Sequence, residues 1–137
     1  MTNAAAETHS VVIEREVSHP PEKLWRALTQ PHLIQEWLMK NDFAPVTGHK
    51  FQMGGDWGSV DCEVLEVEPP RVLSYSWAAF GLDSVVTFTL TPTPRGTHLR
   101  LEQAGFRLPE QEFAFNGAKE AWPAYLDQLE DLVTREG

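Results

Sequence analysis

The stretch from Phe113 to Val133 constrains this chain most. Apolar side chains recur there at Phe115, Ala118, Trp122, Tyr125, Leu126, Leu129, Leu132 and Val133. That three-and-four spacing gathers them on one face of a helix. The other face carries Lys119, Glu120, Asp127, Gln128, Glu130, Asp131 and Arg135. A helix with one apolar face must lie on something. Nearly everything from Val11 to Gln103 reads as strands that need a cover. Pro123 has no amide hydrogen for residue 119 and crowds its carbonyl. The pattern therefore predicts a kink near Ala121–Trp122, or a short helix followed by a longer one opening at Pro123. The stripe stays in phase across the proline, which favours the kink.

The strands follow from alternation. Val11–Ser18 places Val11, Ile13 and Val17 on one side, with Arg15 in phase with them. An Arg there can reach water along its aliphatic stem. Pro20, Pro21 and Glu22 then suit a first helical turn, with Leu24, Trp25 and Leu28 on one face. After Gln30-Pro31 a second short helix carries Leu33, Ile34, Trp37 and Leu38. From His49 the period becomes two. His49, Phe51 and Met53 share a phase, followed by Ser59–Glu68, by Leu73, Tyr75 and Trp77, by Val86, Phe88 and Leu90, and by Leu99, Leu101 and Gln103. Short turns join these five strands into an antiparallel meander with one wet face. In the strand holding Cys62, both faces carry apolar residues and the register stays open. Residues 1–10 are small and polar and read as a disordered tail before a single domain, 11–137.

These pieces predict an α+β domain in which a curved six-stranded antiparallel sheet grips the long C-terminal helix, with two short helices after the first strand. Such a sheet meets the helix tightly at one end and gapes at the other. The gap is a cavity, walled by inward strand positions, the second short helix and the front half of the last helix. Five Trp, seven Phe and two Tyr supply apolar wall or core.

A formal charge of −9 disfavours nucleic acid and anionic membrane, and there is no cluster of Lys and Arg to offset it. One cysteine, Cys62, needs no oxidising compartment. With no signal peptide and no membrane-length apolar run, the expected location is cytoplasmic.

Specific residues also resemble a known family. His19-Pro20-Pro21-Glu22-Lys23-Leu24-Trp25-Arg26-Ala27-Leu28-Thr29, with Pro31, Ile34 and Glu36-Trp37-Leu38, resembles the opening signature of the SRPBCC (START-like) superfamily. Gly48, Phe51, Glu66–Trp77, Val86–Leu90, Gly96–Leu101, Gly105-Phe106, and Trp122-Pro123 with Leu126 and Leu129 extend the likeness. Within the superfamily the match is to the branch related to the C-terminal domain of the heat-shock-protein ATPase activator. The resemblance implies the helix-grip fold and a deep, mostly apolar pocket between sheet and terminal helix. It implies no universal catalytic residue. The superfamily's lipid carriers, hormone binders, cyclases and co-chaperone modules leave the function open.

The expected ligand-binding set is Trp37, Phe51, Met53, Trp57, Trp77, Phe88, Trp122 and Leu126, although core packing is the default role of each buried aromatic. His49, in phase with Phe51, is the one polar group that could look into the cavity as a proton carrier, although a satisfied or exposed His at a strand start is its default role. Asp61 and Glu63 share the face opposite Cys62 and read as solvated. No catalytic grouping, metal ligand set or cofactor motif can be inferred, so none is expected. The leading functional expectation is binding of a small apolar or aromatic molecule by a monomer or weak homodimer. The alternatives are a cyclase or dehydratase acting on an apolar substrate, and a module that binds a chaperone.

Overall fold

Strand lengths in this protein are set by how far each alternating run extends before a Pro- or Gly-containing turn. The computed structural model describes residues 8–55, 58–79 and 81–136. Strand β1 (His9–Val17) leads into α1 (Pro21–Thr29) and α2 (Pro31–Trp37). There follow β2 (Lys40–Asn41), β3 (Lys50–Gly55), β4 (Gly58–Glu68), β5 (Val72–Ala79), β6 (Leu82–Thr93) and β7 (Gly96–Phe106). Helix α3 (Glu112–Arg135) ends the fold. Every strand pair is antiparallel, in the order β1-β7-β6-β5-β4-β3-β2. This is the helix-grip arrangement. The sheet has seven strands rather than six because Lys40 and Asn41 pair with Gly54 and Met53. Two residues carry no readable period, so β2 has no sequence signature.

Helix α3 lies against β1, β7, α1 and α2. Leu126, Leu129 and Val133 are fully buried there, as are Leu73, Val86, Phe88, Leu99 and Leu101 on the sheet. Helix α3 runs unbroken through Pro123, which rules out two separate helices. At that proline Arg15 reaches over from β1. Its guanidinium donates to Asp127 Oδ1 at 2.8 Å, to Glu130 Oε2 at 2.9 Å and to the Pro123 carbonyl at 3.2 Å. The in-phase Arg15 thus pins the edge strand to the helix instead of entering the core.

Two bulges decide which side chains face inward. In β4, Val60, Cys62 and Val64 are buried, and Leu65 is the extra residue where the register with β5 shifts. Beyond it Val67 pairs with Leu73, so the inward phase moves from even to odd numbers. That change is why the faces of this strand looked alike in sequence. In β7, Ala104 pairs with Ser10 and Phe106 with His9, which leaves Gly105 as the extra residue. Gly105 has φ +119°, and a Cβ there would lie 2.7 Å from the Asp83 carbonyl oxygen. Only glycine fits both constraints. The bulge turns both Gln103 and Phe106 into the interior.

On the outer face His98 sits between two carboxylates of β1. Nε2 is 2.6 Å from Glu14 Oε1 and Nδ1 meets Glu16 Oε2. A carboxylate at each ring nitrogen favours the imidazolium, which has an N–H donor for both. Hydrogen bonds to Glu16 and then Glu14 raise its pKa above the ordinary histidine value. The contribution to stability is therefore complete below about pH 6.5, the unfolded value, and is lost as pH rises through the higher folded value. Urea denaturation across that range should show wild type losing this increment with rising pH and His98→Gln losing less. Parallel profiles would contradict the pairing.

Packing at the tight end predicts a second outcome. Leu126→Ala should lower stability by about 3 kcal/mol, as for other buried leucines, measured by chemical denaturation. A loss under about 1 kcal/mol would mean that the helix is not held there.

Candidate functional site

The buried stripe of α3 changes character along its length. Its second half presents Leu126, Leu129, Leu132 and Val133. Its first half presents Ala114, Gly117, Ala118 and Ala121 toward the open end of the sheet. Small side chains cannot reach β5, β6 and β7, and a cavity of about 530 Å³ is left. That lies within the range of small-molecule sites. Nearly inaccessible Val60, Gln103, Phe106 and Trp122 form its floor. Half-buried Met39, Trp77, Ala79 and Tyr125 form the sides, and exposed Glu110 and Phe113 stand at the mouth. Phe113 is 95% exposed, an unusual position for a phenylalanine. Gln111 braces the mouth, accepting from the Arg107 amide at 2.8 Å and donating to the Gly81 carbonyl at 3.2 Å.

Trp122 is the corner between packed core and open space. Its ring meets Trp77 at 5.4 Å, Phe88 at 6.2 Å and Tyr125 at 5.6 Å between centroids. Its indole N–H donates to Gln103 Oε1 at 2.7 Å. Gln103 Nε2 donates to Ser84 Oγ at 3.0 Å, and Ser84 donates to the Trp77 carbonyl at 2.8 Å. A polar chain thus runs under the aromatic wall, linking β5, β6, β7 and α3.

Only two ionisable side chains line the cavity among the described residues, Glu110 and Tyr125. Burial raises the Tyr125 phenol, which therefore stays neutral near pH 7. No cationic side chain lines it among those residues. Cys62 is elsewhere, its thiol pushed up to about 12 by burial, with Asp61 and Asp42 adding to the shift. It is no nucleophile near neutrality. Among the described residues no cluster of three or more His, Cys, Asp or Glu could hold a metal. No described helix is long and apolar enough to cross a membrane.

Of the residues expected at the ligand, Trp77 and Trp122 line the cavity. The structure places Phe51, Met53, Phe88, Trp37 and Leu126 in the packed core instead. Phe51 packs edge-on to Tyr75 and Phe43, and Trp37 is edge-on to Phe88 while donating to the Ala27 carbonyl at 2.9 Å. The three strand residues face inward as their phase predicts, but their neighbours are other core side chains and not the cavity: Phe43 and Tyr75 for Phe51, and Trp37 and Trp122 for Phe88. Trp57 lies outside the described residues. His49 donates from Nε2 to the Asp42 carbonyl at 2.9 Å and stacks on Phe51, away from the cavity lining. Asp61 is exposed and accepts from Gln52 at 2.6 Å, on the outer face. The wall residues that sequence reasoning did not single out are Gln103, Tyr125, Phe106 and, within the front half of α3 that it did expect there, the Ala/Gly run. Gln103 had a signal, being a polar residue in the apolar phase of Leu99 and Leu101.

The chain belongs to the family described as "Activator of Hsp90 ATPase homolog 1-like protein", which matches residues 18–134. Protein MLL2253 from Mesorhizobium loti is 61% identical, with a TM-score of 0.91 over 94% of this chain and 99% of that one. CalU16 from Micromonospora echinospora is 29% identical, with a TM-score of 0.81 over 99% of this chain and 83% of CalU16. DynU16, a protein in the dynemicin biosynthetic locus, is 26% identical with a TM-score of 0.82 over 91% of this chain, which spans 47% of DynU16. No curated protein matches the chain.

If the Ala/Gly run creates the cavity, filling it should be cheap. Ala118→Leu should leave thermal stability unchanged or raise it while abolishing uptake of apolar probes. A drop in stability comparable to a core overpacking mutant, about 1–3 kcal/mol, would show that no void exists beside Ala118.

Proposed function

We propose that the protein binds a small apolar or aromatic molecule between the open end of the sheet and the front half of α3. One observation supports this above the others. The cavity of about 530 Å³ is walled by Trp77, Trp122, Phe106 and Tyr125, while the opposite end of the same interface is fully packed. A core that needed filling would carry leucines at Ala114 and Ala118 as it does at Leu126 and Leu129. The description of DynU16 as a protein in a biosynthetic locus fits work on small molecules.

Size sets the expected affinity. A two-ring aromatic as large as a Trp side chain buries about 250 Å². At about 25 cal/mol per Å² that is at most about 6 kcal/mol before the cost of association, so tens of micromolar is the tight limit for such a ligand. Trp77 and Trp122 report directly on occupancy. Titration with N-phenyl-1-naphthylamine should give saturable energy transfer from tryptophan at tens of micromolar or above. The signal should disappear in Ala118→Leu. A linear, unsaturable response would contradict binding in this cavity.

The cyclase or dehydratase reading needs two converging acid–base groups. Glu110 at the mouth and a phenol kept neutral by burial are poorly suited to that task. A chaperone-binding module needs a sizeable exposed apolar patch. The described exposed apolar residues Val12, Val46, Leu65, Val85 and Phe113 are spread over β1, the loop before β3, β4, β6 and the start of α3, where Phe113 stands at the cavity mouth.

A further inference from the structure

The hydrogen-bond chain under the aromatic wall has only one possible direction. An indole nitrogen is a donor and nothing else, so Trp122 must face an oxygen, and that fixes the Gln103 amide with Oε1 toward α3. Nε2 therefore points to Ser84. The Trp77 carbonyl accepts only, so the Ser84 hydroxyl must donate to it and must receive from Gln103. No flip of the amide satisfies both ends. Nε2 carries two hydrogens, and Ser84 takes one. The second has no acceptor among the described residues, on a side chain that lines the cavity floor and is 2% exposed.

From this we propose that Gln103 is the specificity-determining residue of the cavity and selects a neutral aromatic ligand bearing a hydrogen-bond acceptor at its buried end, such as an aromatic ketone or quinone. This rests on the small-molecule reading above and deepens it. The floor offers one N–H and its strongest acceptor is already engaged by Trp122, so a ligand carbonyl fits where a hydroxyl donor gains less. The walls are rings that accept a flat π-system. Charge excludes the other common apolar ligands. No Lys or Arg lines the cavity among the described residues, and Glu110 stands at its mouth. A fatty-acid or aryl carboxylate entering head first would bury its charge unpaired, at a large cost. One entering tail first would set its carboxylate beside Glu110.

Three probes with one ring system separate the possibilities: 2-acetylnaphthalene, 2-isopropenylnaphthalene and 2-naphthoate. The first two are near-isosteric and differ in the acceptor. Each is titrated against wild type and Gln103→Met, with displacement of N-phenyl-1-naphthylamine as the readout. The ratio of ketone to hydrocarbon affinity should fall about tenfold in Gln103→Met, as for loss of one well-made hydrogen bond. Naphthoate should bind wild type at least tenfold more weakly than the ketone. An unchanged ratio, or naphthoate binding as tightly as the ketone, would overturn the proposal. Hydrocarbon binding without ketone binding would overturn it while leaving the cavity reading intact. Failure of all three probes and of the fluorophore would overturn both.

A second measurement needs no variant. The infrared carbonyl stretch of 2-acetylnaphthalene bound to wild type should lie below its value in hexane, as for a carbonyl accepting a hydrogen bond. A stretch at the hexane position would show that Gln103 donates nothing to the ligand, and would overturn the proposal even if Gln103→Met fails to fold.

Discussion

The change in side-chain size along one helix governs this structure. Helix α3 keeps a continuous apolar face over its whole length, but before Trp122 the part that looks into the cavity is mostly Ala and Gly, with Phe115 turned aside onto Phe106, and after Tyr125 the face is Leu and Val. The sheet above it is continuous. Close packing at one end and a hollow at the other follow from volume alone. Pro123 falls at the junction, and the Arg15 clamp from β1 spans from its carbonyl to Asp127 and Glu130 on the next two turns. The tight half anchors the helix, and Phe115 props the front half against Phe106 and His9 beside the hollow.

Trp122 joins the two halves. One side of its ring packs on Phe88 of the filled core, and the other borders the cavity beside Trp77 and Tyr125. Its N–H cannot be buried without a partner, and Gln103 is that partner. Gln103 in turn needs Ser84, and Ser84 needs the Trp77 carbonyl. Placing one large aromatic at this corner thus brings a whole polar relay under an otherwise greasy wall. Gly105 is part of the same arrangement. Its bulge lets Phe106 turn inward only three positions after Gln103, so two residues of the floor come from adjacent parts of one strand.

Most of the architecture was legible because period reports face. The helix stripe, the alternation in β3 to β7 and the helical pair after β1 all carry it clearly, and the resemblance spanning the chain agreed. Depth was not legible. Phe51, Met53, Phe88 and Trp77 share an inward phase, yet only Trp77 borders the cavity, because the packing partners of the others come from distant parts of the chain, as Phe43 and Tyr75 do for Phe51. The bulges at Leu65 and Gly105 were also hidden, since each shifts the phase by one residue within an apolar run. The site itself was written in what is missing: Ala and Gly in the helix stripe, where larger residues would be expected. Gln103 was visible as a polar residue in an apolar phase, but its partners come from three other elements.

The central claim is a hollow of defined place, and xenon tests it most directly. Apolar cavities take up xenon where packed cores do not. Crystals pressurised with xenon should show bound atoms between Trp77, Trp122 and Ala118, and none around Phe88 or Leu126. No xenon at the first position, with Phe113 or Trp77 folded in against Ala118, would contradict the account.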